Sequence, residues 1–402
     1  MKRILLVTQY FYPELFRSND IAFELARRGY KVDVLASIPN YPKGKYFDGY
    51  GVFRKRKEVV NKVKIYRVFQ TPRGKVHSGV KLALNYLTYA FFGSLWALCF
   101  AIFKRKYDAI VVHQTSPITQ AIPAIIISRL TKTPVYTWVL DIWPDAMRSG
   151  GGIKNEKIIG VIDNLTQWVY RKSCKILISS KDFRELVNRK ADYNDKIVYF
   201  PNWCDDMKAM SLCEIPQLPQ GFRIMMAGNI GTAQDIKTVM KAVMLLKDNQ
   251  NIQWIFVGDG SEKVYIEEYV LSNNITNVTL TGKRPFSEMP SYFKEADVML
   301  LTLRAEFPHL KAVVPARLQS YMSAGKPIVG MVNGGSVAVI NESECGLCAR
   351  AGDYQSLARN IEALSHDRER IIEMGENARK FYESNFTTEQ CISNLEKIIS
   401  IK

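Results

Sequence analysis

Apolar residues in the first half of the chain fall in short, nearly unbroken runs: "RILLV" (3–7), "KVDVLA" (31–36), "KIYRVF" (64–69), "DAIVVH" (108–113), "PVYTWVL" (134–140) and "KILISS" (175–180). Between most of them, apolar positions recur every three or four residues, at 15–29, 116–131 and 155–173, which is the period of an amphipathic helix. Gly29 is placed to end the first of these helices and Pro117 to open the second. The second half alternates in the same way, with strands expected at 222–228, 252–258, 277–282, 297–303 and 327–332. Strands apolar on both faces predict parallel sheets covered by helices on each side: an α/β chain of two Rossmann-like domains. Such sheets bind ligands outside the carboxyl ends of their strands, so the tandem arrangement predicts a ligand cleft between the two. The join is expected near "VYFPNWCDD" (198–206), where a strand runs into a Pro-Asn turn. That divides the chain into 1–203, 204–380 and a final helix, 381–402, expected to return to the first domain.

One stretch departs from the pattern. "LALNYLTYAFFGSLWALCFAIF" (82–103) carries no charge over 22 residues and is bracketed by Lys81 and by Lys104, Arg105 and Lys106. As a helix it would be about 33 Å long, enough to cross a bilayer. The strands on either side should share one sheet, so a single crossing would separate them. Two readings remain: a helix half-buried in the first domain with an apolar face lying in a membrane interface, or a fully buried core helix.

Charge adds to this. Residues 1–200 hold 34 Lys and Arg against 15 Asp and Glu, a net +19, while residues 201–402 hold 21 against 24, a net −3. A basic first half points to a polyanion or an anionic membrane surface. Nucleic acid is not expected as the partner, because the chain shows no zinc finger, no RNP-type strand and no basic heptad region. Seven cysteines are thinly spread, and "MKRILLVTQY" patterns as a first strand rather than a leader, which together favour free thiols in a reducing compartment. Cys345 and Cys348 form one C-x-x-C without a second pair, so packing is expected there rather than zinc.

The stretch "VVPARLQSYMSAGKPIVG" (313–330) places Arg317 in the first turn of a helix, where an acidic side chain normally suits the dipole better. An anion bound at the helix end would explain it. In order and spacing, "GNIGTAQDIKTVMKAV" (228–243), "IFVGDGSEKVYIEEYV" (255–270), "VTLTGKRPFSEMPSYFKEADVMLLTL" (278–303) and "PARLQSYMSAGKPIVGMVNGG" (315–335) resemble a bacterial family 4 retaining glycosyltransferase of GT-B fold. So does the first half, from "YGVFRKRKEVVNKVKIYRV" to "TWVLDIWPDAM". The chain is similar to the branch that builds O-antigen, capsule and other surface polysaccharides, including the N-acetyl-fucosaminyl transferases.

The resemblance implies sugar transfer from a nucleotide sugar, expected to be UDP-linked and an N-acetylated or deoxy hexose, with retention at the anomeric carbon and neither metal nor cofactor. It implies a donor site in the second domain and, in the first, an acceptor site for a glycan on polyprenyl pyrophosphate. A peripheral position on the cytoplasmic face of the bacterial inner membrane follows from that acceptor. On the donor side it points to Gly228, Asn229, Gly231 and Gln234 in the first loop, Gly258 and Asp259, then Gly282 and Lys283 near the base. Ala316 and Arg317 fall at the diphosphate, where a departing nucleotide gains charge and fixed donors lower the barrier. The family's two glutamates align with Ala312 and Ser320, and its Arg and Lys with Asn229 and Gln234. Gln319 or Ser320 is therefore the expected ribose contact, and Arg304, Lys283 and Arg284 are the candidates for the substitute cation. In the first domain, Asp141 and His113 are the catalytic candidates, with Arg17, Ser18, Tyr41, Ser116, Trp143 and Asp145 as acceptor contacts. "SIPNYPKGKYFDGY" (37–50) is the expected acceptor loop. Two alternatives stand beside this: a nucleotide-sugar epimerase of the same fold, and a non-catalytic basic membrane-binding protein.

Overall fold

The structure, a computed structural model, describes residues 2–74, 79–103, 105–150 and 155–400. The chain forms two compact units, one made of Met1–Ser179, Phe183–Phe200 and Ile392–Lys402, the other of Ser180–Asp182 and Pro201–Cys391.

The first unit holds strands β1 (Arg3–Val7), β2 (Lys31–Ser37), β3 (Lys57–Val60), β4 (Val63–Val68), β5 (Ala109–Gln114), β6 (Val135–Val139), β7 (Lys175–Ile178) and β8 (Ile197–Tyr199). They lie in the order β3-β4-β2-β1-β5-β6-β7-β8. All neighbours are parallel except β3, which runs antiparallel to β4. Every residue of β5 and β6 is buried, as strands covered on both faces must be. β3 escaped the sequence pattern because it is an edge strand with alternating exposed positions and two charges in four residues. The helix expected at 116–131 is a 3₁₀ turn, Ile118–Ala121, followed by an α-helix, Ile122–Thr131, which Pro123 opens without a lost donor.

The long apolar segment is a helix, Gly79–Ile102, that by length and composition is able to cross a membrane. It has two faces. Asn85, Tyr89, Gly93, Ala97 and Phe100 face the unit's interior, and a Cβ on Gly93 would lie 2.7 Å from the Pro123 ring. Val80, Leu84, Leu87, Phe91, Leu95, Leu98 and Ile102 are exposed. They are spaced by three and four residues and form one apolar stripe along the helix. The fully buried alternative is therefore ruled out.

The second unit holds β9 (Phe222–Asn229), β10 (Ile252–Asp259), β11 (Val278–Gly282), β12 (Val298–Thr302), β13 (Ile328–Met331) and β14 (Gly346–Ala349). The order is β11-β10-β9-β12-β13-β14, all parallel, a doubly wound sheet whose strand order reverses beside β9. Successive β9 side chains feed two cores: Met225 and Ala227 join Leu301, Tyr321 and Ile328, while Ile224 and Met226 join Trp254, Phe256 and Leu357. β14 was not anticipated; it contains Cys348 and directly follows Cys345. Both thiols are free, and burial pushes them up, to about 12 and about 11, so they stay protonated packing groups. The return to the first unit comes at residue 392 rather than 381. Ala378, Tyr382 and Phe386 are held in the second unit's core, and the Tyr382 hydroxyl donates to the Cys204 carbonyl at 3.1 Å.

Candidate functional site

In the second unit, the carboxyl ends of β9 and β10 are pressed together in register, Gly258 against Gly228 and Asp259 against Asn229. Only glycine fits there. Gly258 has φ +151°, and a Cβ on it would fall 1.9 Å from the Gly228 carbonyl oxygen; one on Gly260 would fall 2.3 Å from that of Ile230. The bare backbone opens onto a cavity of about 670 Å³, with Lys283, Arg284 and Met289 on its wall. Asp259 folds back on its own turn, accepting from the Gly260 amide at 2.9 Å. Lys283 is exposed, and Arg284 is half-buried with one nitrogen donating to the Thr281 carbonyl.

Arg317 is the second residue of the helix Ala316–Ser323, whose first turn has no side-chain cap because Pro315 precedes it. Its Nη2 donates to the Asn229 carbonyl at 3.0 Å, and the guanidinium lies within 3.6 Å of where a Gly228 Cβ would be. Nη1 is buried and has no partner. One turn later the Tyr321 hydroxyl takes both polar groups of Ala227, donating to its carbonyl at 3.1 Å and accepting from its amide at 3.0 Å. Arg317 and Tyr321, on one helix face, thus fix the helix against the end of β9, and the guanidinium bonds the carbonyl of Asn229, a residue of the cavity wall.

Several expected donor residues do other work. Gln234 is buried, and its Oε1 accepts from the Gly231 amide at 3.0 Å and from Asn229 Nδ2 at 3.4 Å, closing the loop after β9. Gln319 is 1% exposed, and its amide nitrogen donates to the Ala316 and Pro315 carbonyls at 3.1 and 2.9 Å. It is thereby removed as a ribose contact, whereas Ser320 is half-exposed and bonded only within its helix. Arg304 is engaged by Glu306 at 2.6 Å. Gly282, with φ +71°, permits the turn into Lys283, and Ala316 is exposed at the helix start.

The carboxyl edge of the first unit's sheet is built from side chains. Gln9 Nε2 donates to Gln70 Oε1 at 2.9 Å and Asn85 Oδ1 at 2.7 Å, and its backbone amide donates to Gln120 Oε1 at 2.9 Å. All four residues are fully buried. His113 lies behind this layer, 1% exposed, with Nδ1 3.4 Å from Thr8 Oγ1 and its ring edge-on to Trp138. Burial drives its pKa down to about 3, so it is a neutral packing imidazole. A group so placed touches no substrate, and the catalytic role expected of His113 fails on that ground. Ser18 is likewise fully buried, donating to the Tyr10 carbonyl. Asp141 remains half-exposed and accepts from Ser116 at 2.7 Å, so these two form one polar pair. Trp143 is buried with its indole N–H unpartnered. Asp145 is ion-paired with Arg189 and Arg17 with Asp20, both at 2.8 Å. Tyr41, 39% exposed, packs against Tyr10 and Phe16.

Two charged residues were missed. Glu14 is 2% exposed and accepts three backbone amides; Arg67 is fully buried, ion-paired with Glu58 and donating to the Tyr12 and Ser37 carbonyls. For Glu14 the one signal was its place among aromatic and apolar residues in "YFYPELF". Among the described residues, no group of three or more His, Cys, Asp or Glu is placed to hold a metal ion.

Residues 17–203 match the family described as a glycosyl transferase 4-like domain, and residues 216–381 match glycosyl transferases group 1. The chain is 24% identical over 242 residues to the probable glycosyltransferase WbjE of Pseudomonas aeruginosa, covering 57% of this chain and 60% of WbjE. It is 24% identical over 185 residues to the amylovoran biosynthesis glycosyltransferase AmsK of Erwinia amylovora, covering 45% of each. Among solved structures, Anabaena Alr3699/HepE in complex with UDP and glucose superposes over 100% of both chains with a TM-score of 0.68 at 15% identity.

Proposed function

We propose that this chain, which belongs to the family 4 glycosyltransferases and has their GT-B fold, moves a sugar from a UDP-linked donor to a lipid-linked glycan with retention at the anomeric carbon, in the making of a surface polysaccharide. The observation that carries the donor half is the glycine-walled cavity, with the Arg317 guanidinium held on the carbonyl of Asn229 in its wall. Exposed backbone and a fixed cation suit a diphosphate. As the C1–O bond to the leaving phosphate breaks, the charge that develops there meets donors already in place, which is where preorganisation lowers a barrier most. The acceptor oxygen forms the new bond to C1 and passes its proton to the departing phosphate, which leaves as UDP. No divalent cation is assigned to the step: Arg317, the helix end and Lys283 take that part. The UDP seen in Alr3699/HepE supports uridine as the base, and the role named for AmsK supports a polysaccharide product.

The acceptor half rests on the first unit. The apolar stripe on Gly79–Ile102 and the net charge of +19 over residues 1–200 suit a peripheral enzyme on the cytoplasmic face of an anionic membrane, within reach of a polyprenyl-pyrophosphate glycan. An epimerase would use the same cavity but has no need of that stripe. The test is to screen UDP- and GDP-sugars for stabilisation, then assay transfer to a lipid-linked acceptor. At a hundredfold excess over Kd, a ligand that binds only the folded chain adds about 2.7 kcal/mol. A UDP-sugar that raises the melting temperature and is consumed only when acceptor is present is the expected result. Isomerisation of the donor without acceptor would select the epimerase.

A further inference from the structure

A single carboxylate joins the loops that follow β1 and β2. Glu14 Oε1 accepts from the amides of Asn40 and Tyr41, both at 2.7 Å, and Oε2 accepts from the amide of Phe11 at 3.2 Å. Asn40, fully buried, carries the constraint onward: its carbonyl accepts from the Gly44 amide at 2.8 Å and its Oδ1 from the Arg73 amide at 3.1 Å. The Tyr41 ring then rests 5.6 Å from Tyr10 and 5.5 Å from Phe16, with the Arg73 guanidinium 5.4 Å from its centroid. An ionised carboxylate is acceptor-only, so it suits a place where three amides converge and nothing else can serve them.

We propose that Glu14 is a positioning residue for the acceptor: it clasps the segment 38–50 to the loop after β1 and so presents the exposed Tyr41 ring to the incoming glycan at a fixed place. The proposal rests on the transferase reading above. Burial lifts the Glu14 carboxyl to about 7, opposed by the three amides and by Arg67 on β4. Tyr10 also faces it, and Arg67 is itself paired with Glu58. The buried site therefore binds a proton more tightly than a water-exposed Glu14 would, and acidification does not open the clasp.

The test compares the full-length protein with Glu14→Gln, by hydrogen exchange and by kinetics. Amides of Asn40 and Tyr41 should exchange about tenfold faster in the variant, with the second unit unchanged. Acceptor KM should rise about fivefold or more while donor KM and nucleotide binding stay within about twofold. Because the variant can fail to fold, Tyr41→Ala is measured as well: it leaves the Glu14 carboxylate and its amide partners in place and should raise acceptor KM about fivefold or more with donor KM within about twofold. Equal exchange in Glu14→Gln and wild type overturns the clasp, and an unchanged acceptor KM in Tyr41→Ala overturns the presentation of its ring. Faster exchange with an unchanged acceptor KM overturns the positioning role. If wild type transfers no sugar, the transferase reading falls, and the exchange arm still decides on the clasp.

Discussion

At the carboxyl end of the second unit's sheet, Gly228, Gly258 and Gly260 leave bare backbone facing a cavity. At the same end of the first unit's sheet, Gln9, Gln70, Asn85 and Gln120 fill the space with a buried network of amides. Both sheets are doubly wound and begin from equivalent topology. The difference lies in what each edge has available to offer. An edge of glycines recognises through amides and suits a group whose charge sits on phosphate oxygens. An edge already closed by side chains offers only what those side chains present, here the half-exposed Tyr41 ring and the Ser116–Asp141 pair.

That contrast is most easily broken at Gly258. Replacing it with alanine forces a Cβ into the Gly228 carbonyl, and the strained φ persists as well. The variant should lose about 3 kcal/mol or more of stability and all stabilisation by nucleotide, both read by thermal denaturation with and without ligand. A Gly258→Ala protein that binds nucleotide normally would remove the close-packed edge from the explanation. Next in size is Arg317→Ala, expected to lower turnover about tenfold or more through loss of a charge-assisted contact. Lysine at the same place should recover only part, because it keeps the charge without the fork. Unchanged kinetics in Arg317→Ala would show that the cavity does not depend on this cation.

The first unit's edge predicts a pH effect instead. His113 binds a proton far more weakly folded than unfolded, so between about pH 3 and 6.5 the unfolded chain holds more protons, and stability rises with pH across that window. Its contribution is complete above pH 6.5 and is lost on acidification, at up to about 1.4 kcal/mol per pH unit. Glu14, raised to about 7, acts with the opposite sign between its unfolded value near 4.5 and 7. Urea denaturation of His113→Gln from pH 4 to 7 should therefore show a shallower acid decline than wild type; an equally steep decline would place the titration elsewhere. The smallest expected effect on stability is on the stripe. Phe91→Asp, at a site 61% exposed, should change stability by less than about 0.5 kcal/mol yet shift protein from the membrane to the soluble fraction on sedimentation with anionic vesicles. Equal partition of both proteins would leave that face without a membrane role.

How much of this could be read from the chain follows the same divide. Central strands announce themselves because burial on both faces demands unbroken apolar runs, so β5, β6, β9 and β10 fall where the pattern puts them. Edge strands do not: β3 is half charged, and β14 is four small or soft residues. The glycines of the second unit were legible because a residue without a side chain has few reasons to recur at strand ends. Gln234, Gln319, Ser18 and His113 were not, since a polar side chain looks the same in sequence whether it meets a ligand or a neighbouring carbonyl. Burial decides between these, and burial is set by residues far away in the chain.

The first unit is discontinuous: the helix Thr388–Ser400 supplies its final piece, with Arg28 donating to Ser393 at 2.9 Å and to Glu396 at 2.5 Å, and Ile392 and Leu395 fully buried. During translation, therefore, the part begun first is finished last. A polypeptide ending at Cys391 would carry a completed second unit tethered to a first that still lacks its closing piece.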